Sequence, residues 1–161
     1  MDLKAFAVRA SGKAAANKKY LTQLKKRNPR AVDKAFHAVH QAVFEQINCL
    51  TCAHCCKTTS PIFYTQDIAR ASQALGMRPG EFTEHYLKID EDNDYVLQSS
   101  PCPFLAADNR CLIYENRPRA CREYPHTDRK KMVQIMELTY KNTLVCPAVL
   151  EMVERLRAIT W

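Results

Sequence analysis

Apolar residues recur at helical spacing towards both ends of the chain and come only in short, irregular runs between them. From Leu3 to Lys26 the sequence is rich in alanine and lysine, a composition that favours helix by propensity alone. Asn28-Pro29 then reads as a cap followed by a first-turn proline, and it opens a second helix. Along that helix Val32, Phe36, Val39, Val43 and Ile47 return at three- and four-residue steps, which predicts a buried stripe. His37 and His40 flank the stripe and read as surface or filling residues rather than ligands. The helix is expected to stop near Asn48, because asparagine tolerates the left-handed cap conformation.

The middle of the chain is patterned differently. Thr65 to Leu75 has a helix-start signature at Thr65–Ile68 and a stop at Gly76. Pro79 opens a short helix, PGEFTEHYLK, through Lys88. Tyr95-Val96-Leu97 is a strand candidate, and Phe104-Leu105 with Cys111–Tyr114 flank a polar connection and read as a small hairpin. Met132–Leu138 is too short an apolar run to distinguish strand from helix. Pro147 starts a final helix with Val149, Met152, Val153, Leu156 and Ile159 on one face. The expected fold is therefore mainly α, with a small β-hairpin and a loop-rich cysteine core in a single compact metal-stabilised domain. Its parts are a basic helical N-terminal arm at 1–47, packing on the core, a cysteine-cluster region at 48–147 and a C-terminal helix at 148–161.

Composition sets outer limits. A chain of 161 residues, 47% hydrophobic and 25% charged, can bury a core without staples. No run reaches the roughly 18 apolar residues of a membrane span, and the N-terminus has no apolar signal core. The expected compartment is the cytoplasm, with no membrane partner, and there eight cysteines do not read as four disulfides. The net charge of +7 sits entirely in residues 1–46, where ten Lys/Arg face Asp2, Asp33 and Glu45. That surplus is either a solvated helix face or a contact surface for an acidic protein partner or nucleic acid. No aromatic interleaving suggests base stacking, Tyr20 being the one ring close to the basic cluster.

The chemistry lies in Cys49, Cys52, Cys55, Cys56, Cys102, Cys111, Cys121 and Cys146, all outside the amphipathic stripes. Thiolates are soft donors that suit zinc, copper(I) and iron–sulfur clusters, so all eight are candidate metal ligands. The acidic run Asp90–Asp94 fails as a calcium loop, with Tyr95 where glycine is needed and Pro101 where glutamate is needed. Cys49-x2-Cys52-x2-Cys55 matches the first three positions of the bacterial ferredoxin run, whose remote fourth cysteine precedes proline. Cys102-Pro103 and Cys146-Pro147 both offer that context. The candidate set for an iron–sulfur cluster is thus Cys49, Cys52, Cys55, Cys102 and Cys146. Zinc is the rival cofactor, since each C-x2-C is also a zinc half-site and eight thiolates divide into two four-thiolate sites. A redox dithiol needs only two of the eight. Arg110, Arg117, Arg119, Arg122, Lys57 and His54 lie near the cysteines and would offset their charge, unless they are merely solvated. His54 or His126 could replace a thiolate. Cys56 is either a ligand to a second metal or an exchangeable thiol beside the first.

The ordered spacings resemble one family. They are Cys49-x2-Cys52-x2-Cys55-Cys56, Asp67-Ile68, Cys102-Pro103-Phe104-Leu105, Cys111–Tyr114, Arg117-Pro118, Cys121-Arg122 and Tyr124-Pro125. Over residues 48–147 the chain is similar to the YkgJ-type cysteine-cluster family, named for the C-x2-C-x2-C-C signature and associated with zinc or iron chelation. The cluster domain of flagellin lysine methylases is a distant relative, and the resemblance raises the iron–sulfur expectation. The favoured reading is an iron–sulfur cluster, of [4Fe-4S] type, in a redox or group-transfer role, while the resemblance itself leaves the reaction chemistry open. The alternative is a structural zinc module presenting its basic arm to a partner. Whether the chain is an oxidoreductase, a methyltransferase component or no enzyme stays open, as do the substrate and the redox or protein partner. No catalytic triad, paired-carboxylate site or phosphate-binding glycine loop is present, and three glycines leave little room for the last.

Overall fold

The computed structural model describes residues 2–161. Its helices are α1 (Leu3–Leu24), α2 (Pro29–Phe44), α3 (His54–Thr58), α4 (Thr65–Ala74), α5 (Pro79–Tyr86), α6 (Arg119–Glu123), α7 (Met136–Thr143) and α8 (Pro147–Arg157). Three short strands accompany them: β1 (Ile62–Phe63), β2 (Leu87–Ile89) and β3 (Tyr95–Leu97). The chain divides into two compact units. The first comprises residues 1–52 and 125–161, and the second residues 53–124. The N-terminal segment and the final helix, separate in the sequence, therefore belong to one unit.

The first unit is helical throughout. Asp2 accepts hydrogen bonds from the Lys4 and Ala5 N–H groups and starts α1; Asn28 does the same for Arg30 and Ala31 at α2. These side chains satisfy donors that a helix start leaves unpaired. The predicted stripe is real: Val32, Phe36 and Val43 are fully buried and pack with Leu21, Leu24, Val149, Met152, Val153 and Leu156. Met132–Leu138, undecided in the sequence, begins as a 3-10 turn at Met132–Ile135 and continues into α7. Asp33 holds that turn against α2, its two carboxylate oxygens accepting the N–H groups of Lys131 and Met132 at 2.8 Å each. At the far end α1 is tied to α8 by Arg9, which pairs with Glu151 at 2.9 Å and also with Glu154.

Helix α2 stops earlier than expected and for a different reason. It ends at Phe44, and Asn48 is extended rather than left-handed. The Asn48 side chain instead accepts the Leu50 N–H at 2.9 Å and caps a 3-10 turn at Cys49–Thr51. The left-handed residue is Ala53, with φ 49°.

The second unit is an antiparallel sheet in the order β1-β3-β2, with Val96 of β3 opposite Ile62 on one side and Lys88 on the other. Helix α5 was expected to run through Lys88, but it ends at Tyr86 and Leu87–Ile89 pairs with Tyr95–Leu97 instead. Residues 104–112 do fold back antiparallel. The hairpin is reduced to one bridge between Leu105 and Cys111, flanked by Ala106 N–H to Arg110 O and Leu112 N–H to Phe104 O, both at 2.8 Å. A core of Phe63, Ile68, Phe82, Leu97, Phe104 and Ile113 lies between sheet and helices, with Phe82 stacked on Phe104 at 5.9 Å. Among the described residues no helix is long and apolar enough to cross a membrane.

Candidate metal centre

None of the eight cysteines is in a disulfide. The two units share them unequally, with Cys49, Cys52 and Cys146 in the first and Cys55, Cys56, Cys102, Cys111 and Cys121 in the second.

In the first unit Cys49 opens the 3-10 turn and is exposed, while Cys52, whose N–H donates to Cys49 O at 3.0 Å, is buried. Cys146 stands at the cap position of α8, ahead of Pro147. Burial pushes its thiol up to about 11, the nearby Val149 and Ala148 N–H groups oppose that rise, and the charges of Cys49 and Cys52 push it further. Those N–H groups belong to the first turn of α8, and the Cys146 side chain makes no capping hydrogen bond to them. Cys146 therefore lies within electrostatic reach of Cys49 and Cys52. Of the two Cys-Pro pairs, this one keeps company with the start of the C-x2-C-x2-C run.

In the second unit four thiols lie within electrostatic reach of one another. Cys56 lies in α3, and its carbonyl accepts the Cys102 N–H at 2.8 Å, so the two segments are joined by backbone. Cys111 enters through the Leu105 bridge and Cys121 through α6. Burial raises the Cys121 thiol to about 12, and the charges of Cys56, Cys102 and Cys111 all raise it further. Burial also lifts Cys102 to about 11, opposed by the N–H groups of Phe104 and Leu105. Cys111 is raised by burial against the Ile113 N–H. Cys56 moves the other way, down to about 7, through its contact with Cys55, whose sulfur is 4.0 Å from its own, and the charge of Lys57. Among the described residues no three His, Cys, Asp or Glu side chains are already closed onto one point at metal-ligand spacing. The grouping is one of mutual charge and shared backbone.

This donor set suits a soft cation. Buried thiols that repel one another's ionised forms stay protonated unless a positive centre inverts the balance, which a thiophilic metal does. Backbone N–H groups beside the sulfurs of Cys102 and Cys111 then stabilise the thiolates. All-sulfur donors fit zinc or iron–sulfur and do not fit calcium or magnesium.

The expected cations behave differently from one another. Arg117 stacks on Tyr114, 3.8 Å from the ring centre, and its charge lowers both Cys111 and Cys121. Lys57 acts on Cys56. Arg119 instead pairs with Glu123 at 2.6 Å, and Arg110 lies 3.5 Å from Asp108. His37 and His40 have ordinary structural partners: the carbonyl of Arg129 at 3.2 Å and the Thr127 hydroxyl at 2.9 Å. In the basic arm Arg9 and Lys13 are bound to glutamates of α8, and Lys18 lies over the Tyr140 ring at 5.5 Å. Lys19, Lys25, Lys26, Arg27, Arg30 and Lys34 are exposed. Tyr20 is engaged elsewhere, its hydroxyl donating to Leu156 O at 2.7 Å.

A comparison with family models matches residues 48–147 to CxxCxxCC, a "Putative zinc- or iron-chelating domain". The chain belongs to this family. The matched span contains all eight cysteines and the whole of the second unit. The chelating cysteine cluster is thus the defining feature of the CxxCxxCC domain in this protein. No curated protein and no solved structure matches the chain.

Two features escaped sequence reasoning. One is the division of the thiols between the two units, for which the cysteine spacing carries no signal. The other is Asp67, 2% exposed and bonded far along the chain. An acidic residue at the third position of a helix looks like an ordinary capping residue from sequence alone.

Proposed function

We propose that this CxxCxxCC protein is an iron–sulfur protein whose cysteines serve two centres. Cys49, Cys52 and Cys146 bind an iron–sulfur cluster of the [4Fe-4S] type, in the ferredoxin-like run whose spacing continues to Cys55. Cys56, Cys102, Cys111 and Cys121 form a four-thiolate centre that holds residues 53–124 together. The observation that carries this reading is the pairing of Cys146-Pro147, rather than Cys102-Pro103, with Cys49 and Cys52. Two-residue spacing plus a remote Cys-Pro is the ligand pattern of a cubane, whose chemistry is one-electron transfer or support of group transfer. The exposed cations between Lys19 and Lys34 are offered to an acidic redox partner.

A second reading is zinc at both centres, a structural module presenting that basic surface. Its support is the four-thiolate set of the second unit, complete without a further ligand, as closed zinc sites are. Anaerobic purification separates the readings. The iron–sulfur protein is brown, contains iron and acid-labile sulfide in equal amounts, and bleaches with dithionite. A colourless protein with stoichiometric zinc and no sulfide overturns the first reading and leaves the second.

A further inference from the structure

Asp67 makes an unusual set of bonds for a helix-capping residue. Its Oδ2 accepts the Tyr64 N–H at 3.1 Å, which closes the start of its own helix α4. Its Oδ1 accepts the N–H of Arg119 at 3.0 Å, fifty-two residues later in the chain. Arg119 is the first residue of α6, and the preceding Pro118 has no side-chain group with which to cap that helix. The Arg70 guanidinium pairs with the same Oδ1. One buried carboxylate thus caps two helices, and α6 carries Cys121 two residues beyond the bond. Helix α6 has only five residues and buries none of them, so its own packing does little to fix its direction.

We propose that Asp67 is the positioning residue of the four-thiolate centre, fixing α6 so that the Cys121 sulfur is presented to the metal shared with Cys56, Cys102 and Cys111. The inference rests on the four-thiolate reading of the previous section. Asparagine has nearly the same shape but only one acceptor oxygen. It can serve either the Tyr64 N–H or the Arg119 N–H, and its amide then opposes the other donor. A ligand held through such a partner loses affinity on the order of 10- to 100-fold when the partner is removed.

The test uses cobalt(II) as probe in the full chain, with Cys49, Cys52 and Cys146 replaced by serine so that the second unit's thiols report alone. The parent should give the intense near-ultraviolet sulfur-to-cobalt band of a four-thiolate site. Asp67→Asn should lose about a quarter of that band per bound cobalt, the share of one thiolate in four, and bind roughly 10- to 100-fold more weakly. Cys121→Ser should lose the same quarter, and adding Asp67→Asn to it should change affinity less than about twofold, because the two residues act as one unit. Full band intensity and affinity in Asp67→Asn would overturn the proposal. So would an undiminished effect of Asp67→Asn in the Cys121→Ser background, which would make Asp67 a support of the fold at large. If the parent itself shows no thiolate band, the four-thiolate reading fails and takes this proposal with it.

Discussion

The two units of the chain solve the same problem with different materials. Residues 1–52 and 125–161 form long capped helices around Phe36, Leu21, Leu24, Met132, Met152 and Leu156, all nearly or fully buried. Residues 53–124 have strands of two or three residues and helices of ten or fewer, around a smaller apolar core. Short elements bury little area each, and a segment of that size ordinarily needs a cross-link or a metal to remain folded. The second unit holds four thiols within electrostatic reach of one another, which the proposed four-thiolate centre would use as that staple. The first unit also carries thiols, of which Cys146 packs against a larger apolar core. On the proposed two-centre reading, metal is structural in the second unit and an addition to a finished structure in the first.

Metal removal should break this comparison most visibly. Structural zinc in small thiolate sites contributes roughly 10–16 kcal/mol of folding free energy, and a four-thiolate centre here is expected to matter on that scale. A strong chelator with reductant should abolish amide-exchange protection in β1–β3, α4 and α5 while leaving α1, α2 and α8 protected. Hydrogen exchange read by mass spectrometry distinguishes the outcomes, and equal loss across both units would refute the contrast. The converse experiment is smaller. Phe36→Ala empties a fully buried aromatic site and should destabilise the first unit by about 3–5 kcal/mol. The sulfur-to-metal band of the second unit should not change, which absorbance on the metal-loaded variant would check.

How much of this was visible in the sequence follows the same division. In the first unit the stripe Val32–Phe36–Val39–Val43 and the caps at Asn28 and Pro147 were legible, because a long helix with one buried face imposes its period on the residues. In the second unit the cysteines stood out in the sequence as candidate ligands, but their grouping did not. Grouping depends on long-range bonds such as Cys102 N–H to Cys56 O and Arg119 N–H to Asp67, which leave no periodic trace. The end of PGEFTEHYLK was misplaced for a related reason: Leu87–Ile89 has helical neighbours but gains more by pairing with β3. Asn48 was assigned the left-handed turn on propensity, whereas its side chain found a better use in capping Cys49–Thr51.

A third prediction concerns acid. Glu151 is held below the usual glutamate range by hydrogen bonds from Arg155 and Arg9. Burial pushes Glu154 up, but Arg9 and Lys13 outweigh it and the net shift is downward. Groups with depressed folded values add stability that is present above the ordinary glutamate value and is lost as pH falls through the lower folded ones. The first unit should therefore lose stability below about pH 4.5 through these pairs, the starting value of both glutamates. All three partners are partly exposed, so the effect should be no more than about 1 kcal/mol. Urea midpoints at pH 6 and pH 3, followed with and without Arg9→Gln, should show a shallower acid loss in the variant.

The smallest effect is expected where the chain passes from one unit into the other. Ala53 is the first residue of the second unit and holds φ 49°, ψ 21°, between the buried Cys52 and helix α3. A left-handed backbone costs an ordinary L-residue roughly 1–2 kcal/mol, and glycine escapes that cost. Glycine also gives the unfolded chain more freedom, which offsets about 0.4–1 kcal/mol of the gain. Ala53→Gly should thus raise stability by about 0.5–1 kcal/mol, the balance of those two effects, in a thermal or denaturant melt. The sign is the informative part. A stabilisation means that the turn re-aiming the chain after Cys52 is held under strain by its surroundings; a loss would mean that the alanine methyl, 6% exposed as part of its residue, contributes packing worth more than the strain it causes.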